Sequence, residues 1–335
     1  MSRLAGLKTC FVIGSNSFSG ASFVDSLLEM GYPVIGCSRS PEPHPAFLPY
    51  KWTARPGTFS FHQIDLNRDL DALMELIRCE RPTYVINFAA QGMVAESWKT
   101  PEDWYQTNVV SQVKLHDSLR KFDFIENYLH FTTPEVYGST DGWIKESFNF
   151  SPNTPYAASR AACDLHLMTF YKNYGFPVTF TRAANVFGEG QQLYRIIPKT
   201  ILSCLLGDKL SLHGGGASER SFIHIDDVSD ATHQIMTKGI PGNTYHISTE
   251  TSISIKELVW NICRKLNRDP EELVVSTTER LGKDHSYALD SSLIREELLW
   301  QDNISIHEGI DRTVDWIKNN LQVLKTMPSE YIHKS

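Results

Sequence analysis

The chain has 335 residues, 41% of them hydrophobic, which is enough for one large α/β domain with an appended lobe or for two domains. Its formal net charge of −7 is spread without long like-charge runs, which argues against a general nucleic-acid or acidic-membrane binder and leaves phosphate recognition to a local pocket. Six cysteines without a Cys-x-x-Cys pair give neither a zinc site nor a disulfide framework, and no apolar run nears the roughly 20 residues of a bilayer span, so a cytoplasmic, metal-free protein is expected. The first element is an apolar strand over residues 9–13, followed by the loop Gly14-Ser15-Asn16-Ser17-Phe18-Ser19-Gly20 and a helical pattern through Phe23, Val24, Leu27 and Leu28. Further strands are predicted over 33–36, 59–64, 84–88, 127–131 and 178–180, with helical patterns between most of them, such as 70–79 and 105–121. Alternation of this kind predicts a parallel, doubly wound sheet that binds ligands at the carboxyl ends of its strands. From Gly188 the rhythm breaks into shorter segments, including 210–213 and 221–224, which predicts a smaller interleaved lobe. Residues 1–187 are thus assigned to a dinucleotide-binding domain with a return segment near 221–247, and 188–220 and 248–335 mainly to a substrate-binding lobe.

Gly14 and Gly20 stand at the spacing of a dinucleotide fingerprint, with Ser17 in place of the middle glycine. Glycine there permits a tight turn and close helix packing while the helix N-terminus faces a pyrophosphate. Gly14, Ser17, Phe18 and Gly20 are the cofactor candidates of this loop. After the second strand comes Cys37-Ser38-Arg39-Ser40, with no acid to accept from the adenosine ribose of NAD. Arg39 with Ser38 and Ser40 suits a 2′-phosphate instead, because a guanidinium fork matches phosphate oxygens. The expected cofactor is tightly bound NADP or NAD, with NADP modestly favoured.

Two stretches carry the chemistry: Thr132-Thr133-Pro134-Glu135-Val136-Tyr137-Gly138 and Pro155-Tyr156-Ala157-Ala158-Ser159-Arg160. Tyr156 and Arg160 are four apart and share a helix face, so a phenol and a cation point at one ligand. That pair resembles the Tyr-x-x-x-Lys of short-chain dehydrogenases/reductases. The preceding stretch resembles the Ser-Thr-Asp-Glu-Val-Tyr-Gly segment of nucleotide-sugar 4,6-dehydratases, an extended branch of the NAD-dependent epimerase/dehydratase family. The chain departs at Pro134, where dTDP-glucose-type dehydratases usually carry Asp, and at Arg160, where nearly all active members carry Lys.

The resemblance implies a Rossmann-type α/β fold and catalytic roles for Thr133, Glu135, Tyr156 and Arg160. Thr133 would bond the reacting hydroxyl, Tyr156 would take its proton, Arg160 would supply the fixed charge, and Glu135 would remove the hydrogen at C5. It also implies that Asp65 and Leu66 line the adenine and that Asn87-Phe88-Ala89-Ala90-Gln91, through Ala89 and Ala90, lines the cofactor. Asp65 fits a helix cap equally well. In the lobe, Thr181-Arg182-Ala183-Ala184-Asn185-Val186-Phe187-Gly188 and the following Ile196-Ile197-Pro198-Lys199 resemble family segments, as do the runs holding Arg220 and Arg280. They make Asn185, Arg195, Lys199, Arg220 and Arg280 the substrate-binding candidates. The implied protein is a homodimeric nucleotide-sugar 4,6-dehydratase with a nucleotide sugar as its partner molecule and no nucleic acid or membrane. A nucleotide-sugar epimerase, a UDP-glucuronate decarboxylase and a catalytically silent dinucleotide-binding protein remain the alternatives.

Overall fold

The computed structural model describes residues 8–140, 142–278 and 288–334. Seven parallel strands form the central sheet: β1 Cys10–Ile13, β2 Pro33–Ser38, β3 Thr58–Gln63, β4 Tyr84–Asn87, β5 Asn127–Thr132, β6 Val178–Ala183 and β7 Thr244–Ile247. Their spatial order is β7-β6-β5-β4-β1-β2-β3. The inner strands are apolar on both faces because helices cover both sides of the sheet. In β1, Cys10 and Val12 turn to one layer, where they meet Phe23, Val24 and Leu27 of α1 (Phe18–Glu29) and Ile235 of α7 (Ile225–Lys238). Phe11 and Ile13 turn to the other, among Leu73 and Ile77 of α2 (Leu70–Glu80), Leu115 of α4 (Ser111–Leu119) and Leu167 of α5 (Pro155–Tyr174). The two-residue period of a strand makes this division. This is a Rossmann-type doubly wound sheet, and its strand order reverses between β1 and β4, where a crevice opens beyond the carboxyl ends.

A second core lies outside the sheet. It joins Ile197 and Ile201 of α6 (Ile196–Leu206), Leu258 and Ile262 of α8 (Ile255–Lys265), and Ile310, Val314 and Ile317 of the helix Ile306–Asn319. A short parallel pair, Asn185–Phe187 with Phe222–His224, leads from the sheet into this smaller lobe.

Glu189, just beyond that pair, ties the lobe together. Its carboxylate accepts from His224 Nε2 at 2.9 Å and from Arg312 Nε at 2.8 Å. Burial alone would raise its pKa, but the His224 hydrogen bond and the charges of His224 and Arg312 outweigh that and hold it at about 2 against an ordinary 4.5. A carboxylate depressed in the folded state stabilises above its unfolded pKa and loses that contribution as pH falls through the folded value. Glu189→Gln should therefore cost about 1–3 kcal/mol at neutral pH. In denaturant titrations the gap between variant and parent should close as pH drops from 4.5 toward 2.

Two elements differ from expectation. The helix predicted over 105–121 is interrupted: α3 (Pro101–Tyr105) is followed by a π-helical turn, Gln106–Val110, before α4 begins. The wider turn holds Asn108 buried, where its amide reaches Gln91 and Ser159, so a tertiary demand overrides the helical period. The sequence pattern places β7 only within a return segment. Its polar Thr244 and His246 mask the apolar pattern, and both are fully buried by pairing with β6.

Candidate active site

The glycine loop closes over the carboxyl end of β1. Gly14 sits at φ +84°, and a Cβ there would lie 2.9 Å from the backbone nitrogen of Ala89. A Cβ on Gly20 would lie 2.1 Å from the Gly14 carbonyl oxygen, so neither position admits a side chain. Ser17 takes over the middle position by capping α1: its Oγ accepts from Gly20 N at 3.1 Å and donates to the Gly14 oxygen at 2.7 Å. Phe18 begins the helix and is buried. The N-terminus of α1 thus faces the crevice with its first-turn amides, as a pyrophosphate requires.

Beside it, Ser38 Oγ accepts from Asn16 N at 3.2 Å, and Arg39 Nη2 donates to Gln91 Oε1 at 3.0 Å rather than to a carboxylate. Ala89 is pinned by its N–H to Asn87 Oδ1 and its carbonyl to Gln112 Nε2, and Ala90 is exposed beside it. This glycine cradle, with no acid following β2, fits a nicotinamide dinucleotide. Asp65 Oδ1 accepts from Asn67 N at 2.9 Å and so caps the turn before α2, while Leu66 is buried in the core.

At the end of β5, Thr133 caps a 3₁₀ turn, Pro134–Tyr137, by accepting from Glu135 N at 3.3 Å. Pro134 opens that turn, where its fixed φ suits the position and a missing N–H costs nothing. Across from it, Thr154 caps α5 through Ala157 N at 3.1 Å, with Pro155 again at the first helical position. These two caps set Tyr156 close enough to Thr133 for its hydroxyl to influence the phenol. Burial pushes the Tyr156 pKa above its ordinary value of 10; the Arg160 guanidinium opposes the rise, the Glu135 carboxylate adds to it, and the Thr133 hydroxyl and Arg195 oppose it. Thr133, Glu135 and Arg160 therefore all bear on the ionisation of Tyr156. Arg160 itself is buried, with Nη2 donating to the Phe131 carbonyl and lying 3.5 Å from His130 Nε2.

Beneath this cluster is a layer of buried polar groups without a sequence prediction. Arg182 Nη2 donates to Asp164 Oδ2 at 2.8 Å and Nη1 to the Tyr137 hydroxyl at 2.8 Å. Thr132 Oγ1 donates to the same Asp164 oxygen at 3.0 Å, and Tyr137 meets His246 Nε2 at 2.8 Å. The network grips Thr132 and Tyr137, the two ends of the segment that presents Thr133 and Glu135. Arg182 was legible as part of a family segment; the involvement of Asp164 and His246 depends on residues brought together from three elements. Asn108 was missed as well: it accepts from Gln91 N at 2.7 Å and donates to Ser159 Oγ at 3.0 Å, joining the cofactor loop to the catalytic helix.

His116, His130 and Cys163 have ligating atoms within 4.8 Å of one another. Burial holds both imidazoles well below their ordinary pKa and pushes the thiol up to about 12. With the Arg160 guanidinium against His130, this buried trio is set up as a neutral cluster rather than a cation site.

Of the substrate candidates, Asn185 and Arg220 flank the start of the smaller lobe, with Asn185 N donating to the Ser221 carbonyl at 3.0 Å and Arg220 Nη1 to the Glu219 carbonyl at 2.7 Å. Arg195 stands exposed at the N-cap of α6, over the Tyr194 ring at 5.5 Å, close enough to Tyr156 to affect its ionisation. Lys199 pairs with Glu330 at 2.6 Å. Arg280 lies outside the described residues.

The chain belongs to the NAD dependent epimerase/dehydratase family, whose model matches residues 10–248. Within that family it is an extended short-chain dehydrogenase. It is 32% identical over 264 residues to a dTDP-glucose 4,6-dehydratase of Xanthomonas campestris pv. campestris, covering 73% of this chain and 75% of the relative. A trifunctional UDP-glucose 4,6-dehydratase/UDP-4-keto-6-deoxy-D-glucose 3,5-epimerase/UDP-4-keto-L-rhamnose-reductase of Arabidopsis thaliana is 30% identical over 78% of this chain, which spans only 40% of that enzyme's length. Among solved structures, the dTDP-glucose 4,6-dehydratase of Streptomyces venezuelae with NAD bound superposes with a TM-score of 0.85 at 29% identity, covering 94% of this chain and 98% of that one.

Proposed function

We propose that the protein is a nucleotide-sugar 4,6-dehydratase, a hydro-lyase that converts a nucleotide sugar to its 4-keto-6-deoxy form. The observation that carries this reading is the convergence of Thr133, Tyr156 and the Glu135 carboxylate on one site at the end of β5. A nicotinamide cofactor held by the Gly14 cradle, Arg39 and Gln91 supplies reversible hydride acceptance at the sugar. Thr133 bonds the C4 hydroxyl and Tyr156 takes its proton, assisted by the Arg160 charge. Glu135 then removes the proton at C5, which a C4 ketone makes acidic, so that the C6 hydroxyl leaves as water; the hydride would then return to C6 as a proton is restored to C5, giving the 4-keto-6-deoxy product and the original oxidised cofactor. Pro134 carries no proton for that leaving group, so Glu135, Thr133 or an ordered water would supply it. Arg195, Lys199, Asn185 and Arg220 would receive the diphosphate and sugar, and Arg280 joins them on the family resemblance alone.

Finer features of the reading follow from the same residues. Arg39 after β2, in the absence of an acid there, supports NADP over NAD, although the solved relative holds NAD. A homodimer is carried over from the family resemblance alone. Among the described residues no helix is long and apolar enough to cross a membrane, which is compatible with a cytoplasmic site of action. The test is a panel of nucleotide sugars assayed for 4-keto product, with inversion or carbon dioxide release pointing instead to an epimerase or a decarboxylase.

A second reading, a silent dinucleotide-binding protein, draws on the Arg160 guanidinium being turned onto the Phe131 carbonyl. Arg160→Met separates the two. Losing the cation leaves burial to raise the Tyr156 phenol further, so the rising, acid-side limb of the rate profile should move to higher pH and hydride transfer should fall at least about tenfold, ~1.4 kcal/mol of barrier. An unchanged rate and pH profile makes Arg160 a bystander; a parent inert on every nucleotide sugar favours the silent binder.

A further inference from the structure

Residues 327–334 run across the carboxyl end of the sheet and contact both lobes. Gln91 Nε2 donates to the Tyr331 hydroxyl at 3.2 Å and to His333 Nδ1 at 3.1 Å, while its Oε1 holds Arg39. His333 turns its Nε2 to Asp103 Oδ2 at 2.7 Å and lies flat on Trp104, with ring centroids 5.1 Å apart and an interplanar angle of 7°. Lys334 Nζ donates to Ser40 Oγ at 3.0 Å, just past β2. On the lobe side, Glu330 pairs with Lys199 at 2.6 Å and Tyr331 meets Tyr194 edge-on at 5.5 Å. Burial raises the pKa of the half-buried Tyr331 phenol, and Arg39 from the sheet and Arg195 from the lobe both oppose that rise.

The ends of β1, β2 and β4 are where a dinucleotide lies in an open parallel sheet. A segment bonded at once to Ser40 after β2 and Gln91 after β4 spans that site from outside. We propose that residues 330–334 form the outer wall of the dinucleotide site, and that Tyr331 and His333 are positioning residues that hold Gln91 and Arg39 toward the cofactor and slow its release. Under the dehydratase reading this is chemically apt: hydride goes back to the molecule it came from, so turnover needs no cofactor exchange. The wall itself rests only on a dinucleotide binding at the Gly14 cradle.

The test measures cofactor release from the full chain without any nucleotide sugar, so its outcome is independent of whether dehydration occurs. NADH and NADPH are each chased by excess oxidised cofactor in stopped flow, following nicotinamide fluorescence. His333→Ala, which removes the stack and the Asp103 and Gln91 contacts, should release cofactor roughly tenfold or more faster; Tyr331→Phe, which removes one hydroxyl, should do so about two- to tenfold faster. Ile240→Ala, at a side chain 52% exposed and outside the wall, should match the parent. Unchanged release in both Tyr331→Phe and His333→Ala overturns the proposal. So does tighter cofactor binding in either variant, which is the result of removing a plug rather than a wall.

Discussion

Glu135→Gln is expected to lower formation of 4-keto-6-deoxy product by about 10²–10⁴-fold while leaving oxidation at C4 measurable. The two steps rest on different groups. In the proposed reaction, oxidation would rely on Tyr156 with Thr133 and the Arg160 charge beside it, and elimination on a base at C5, for which Glu135 is the carboxylate whose charge reaches Tyr156. Glutamine keeps the shape and the backbone bond from residue 135 to Thr133 but accepts no proton. The variant should also have a slightly more acidic Tyr156, because the nearby negative charge that raises the phenol is gone. Single-turnover absorbance of the nicotinamide should therefore show reduction without return. Near-parent yield of the 4-keto-6-deoxy product would remove Glu135 from the elimination step.

Arg182→Met is expected to destabilise the fold by about 3–5 kcal/mol, because it leaves the carboxylate of Asp164 buried and unpaired. Asp164 is fully buried, and burial already raises its pKa against the opposing charges of Arg182 and Arg160. Without Arg182 the folded pKa rises further above the ordinary 3.8. A group raised in the folded state favours folding below its unfolded pKa and loses that advantage as pH climbs. The defect should accordingly be largest at neutral pH and shrink toward acid, and Asp164→Asn in the same chain should recover part of it. Denaturant titrations of the single and double variants across pH measure this. An additive double variant would show that the two side chains do not share the energy assigned to them. Activity should fall as well, since the Arg182 network holds Thr132 and Tyr137 on either side of Thr133 and Glu135.

Most of the sheet was legible because burial on two faces leaves a dense apolar run, as in Phe11-Val12-Ile13 and Tyr84-Val85-Ile86, and because Gly14 and Gly20 mark a turn that no other residue fits. Strand β7 was not read as a strand, since His246 satisfies its polarity with Tyr137 and Asp290, partners distant in sequence. The continuous helix expected over 105–121 failed for a similar reason: the helical period is locally intact, but Asn108 is needed at Gln91 and Ser159.

By itself, the sequence determined the alternation of strands and helices, the dinucleotide loop, and the residue types Thr133, Glu135, Tyr156 and Arg160 that make the chemistry conceivable, because these depend on local periodicity, turn sterics and short spacings. Only the tertiary structure decided that Pro134 opens a turn capped by Thr133, that Asp65 caps a turn, that Arg160 faces the Phe131 carbonyl, and that residues 330–334 return to Ser40 and Gln91. Side-chain direction and the meeting of segments more than 200 residues apart follow from packing and charge balance across the whole fold, as in the Gln91–His333 contact, and no local pattern encodes them.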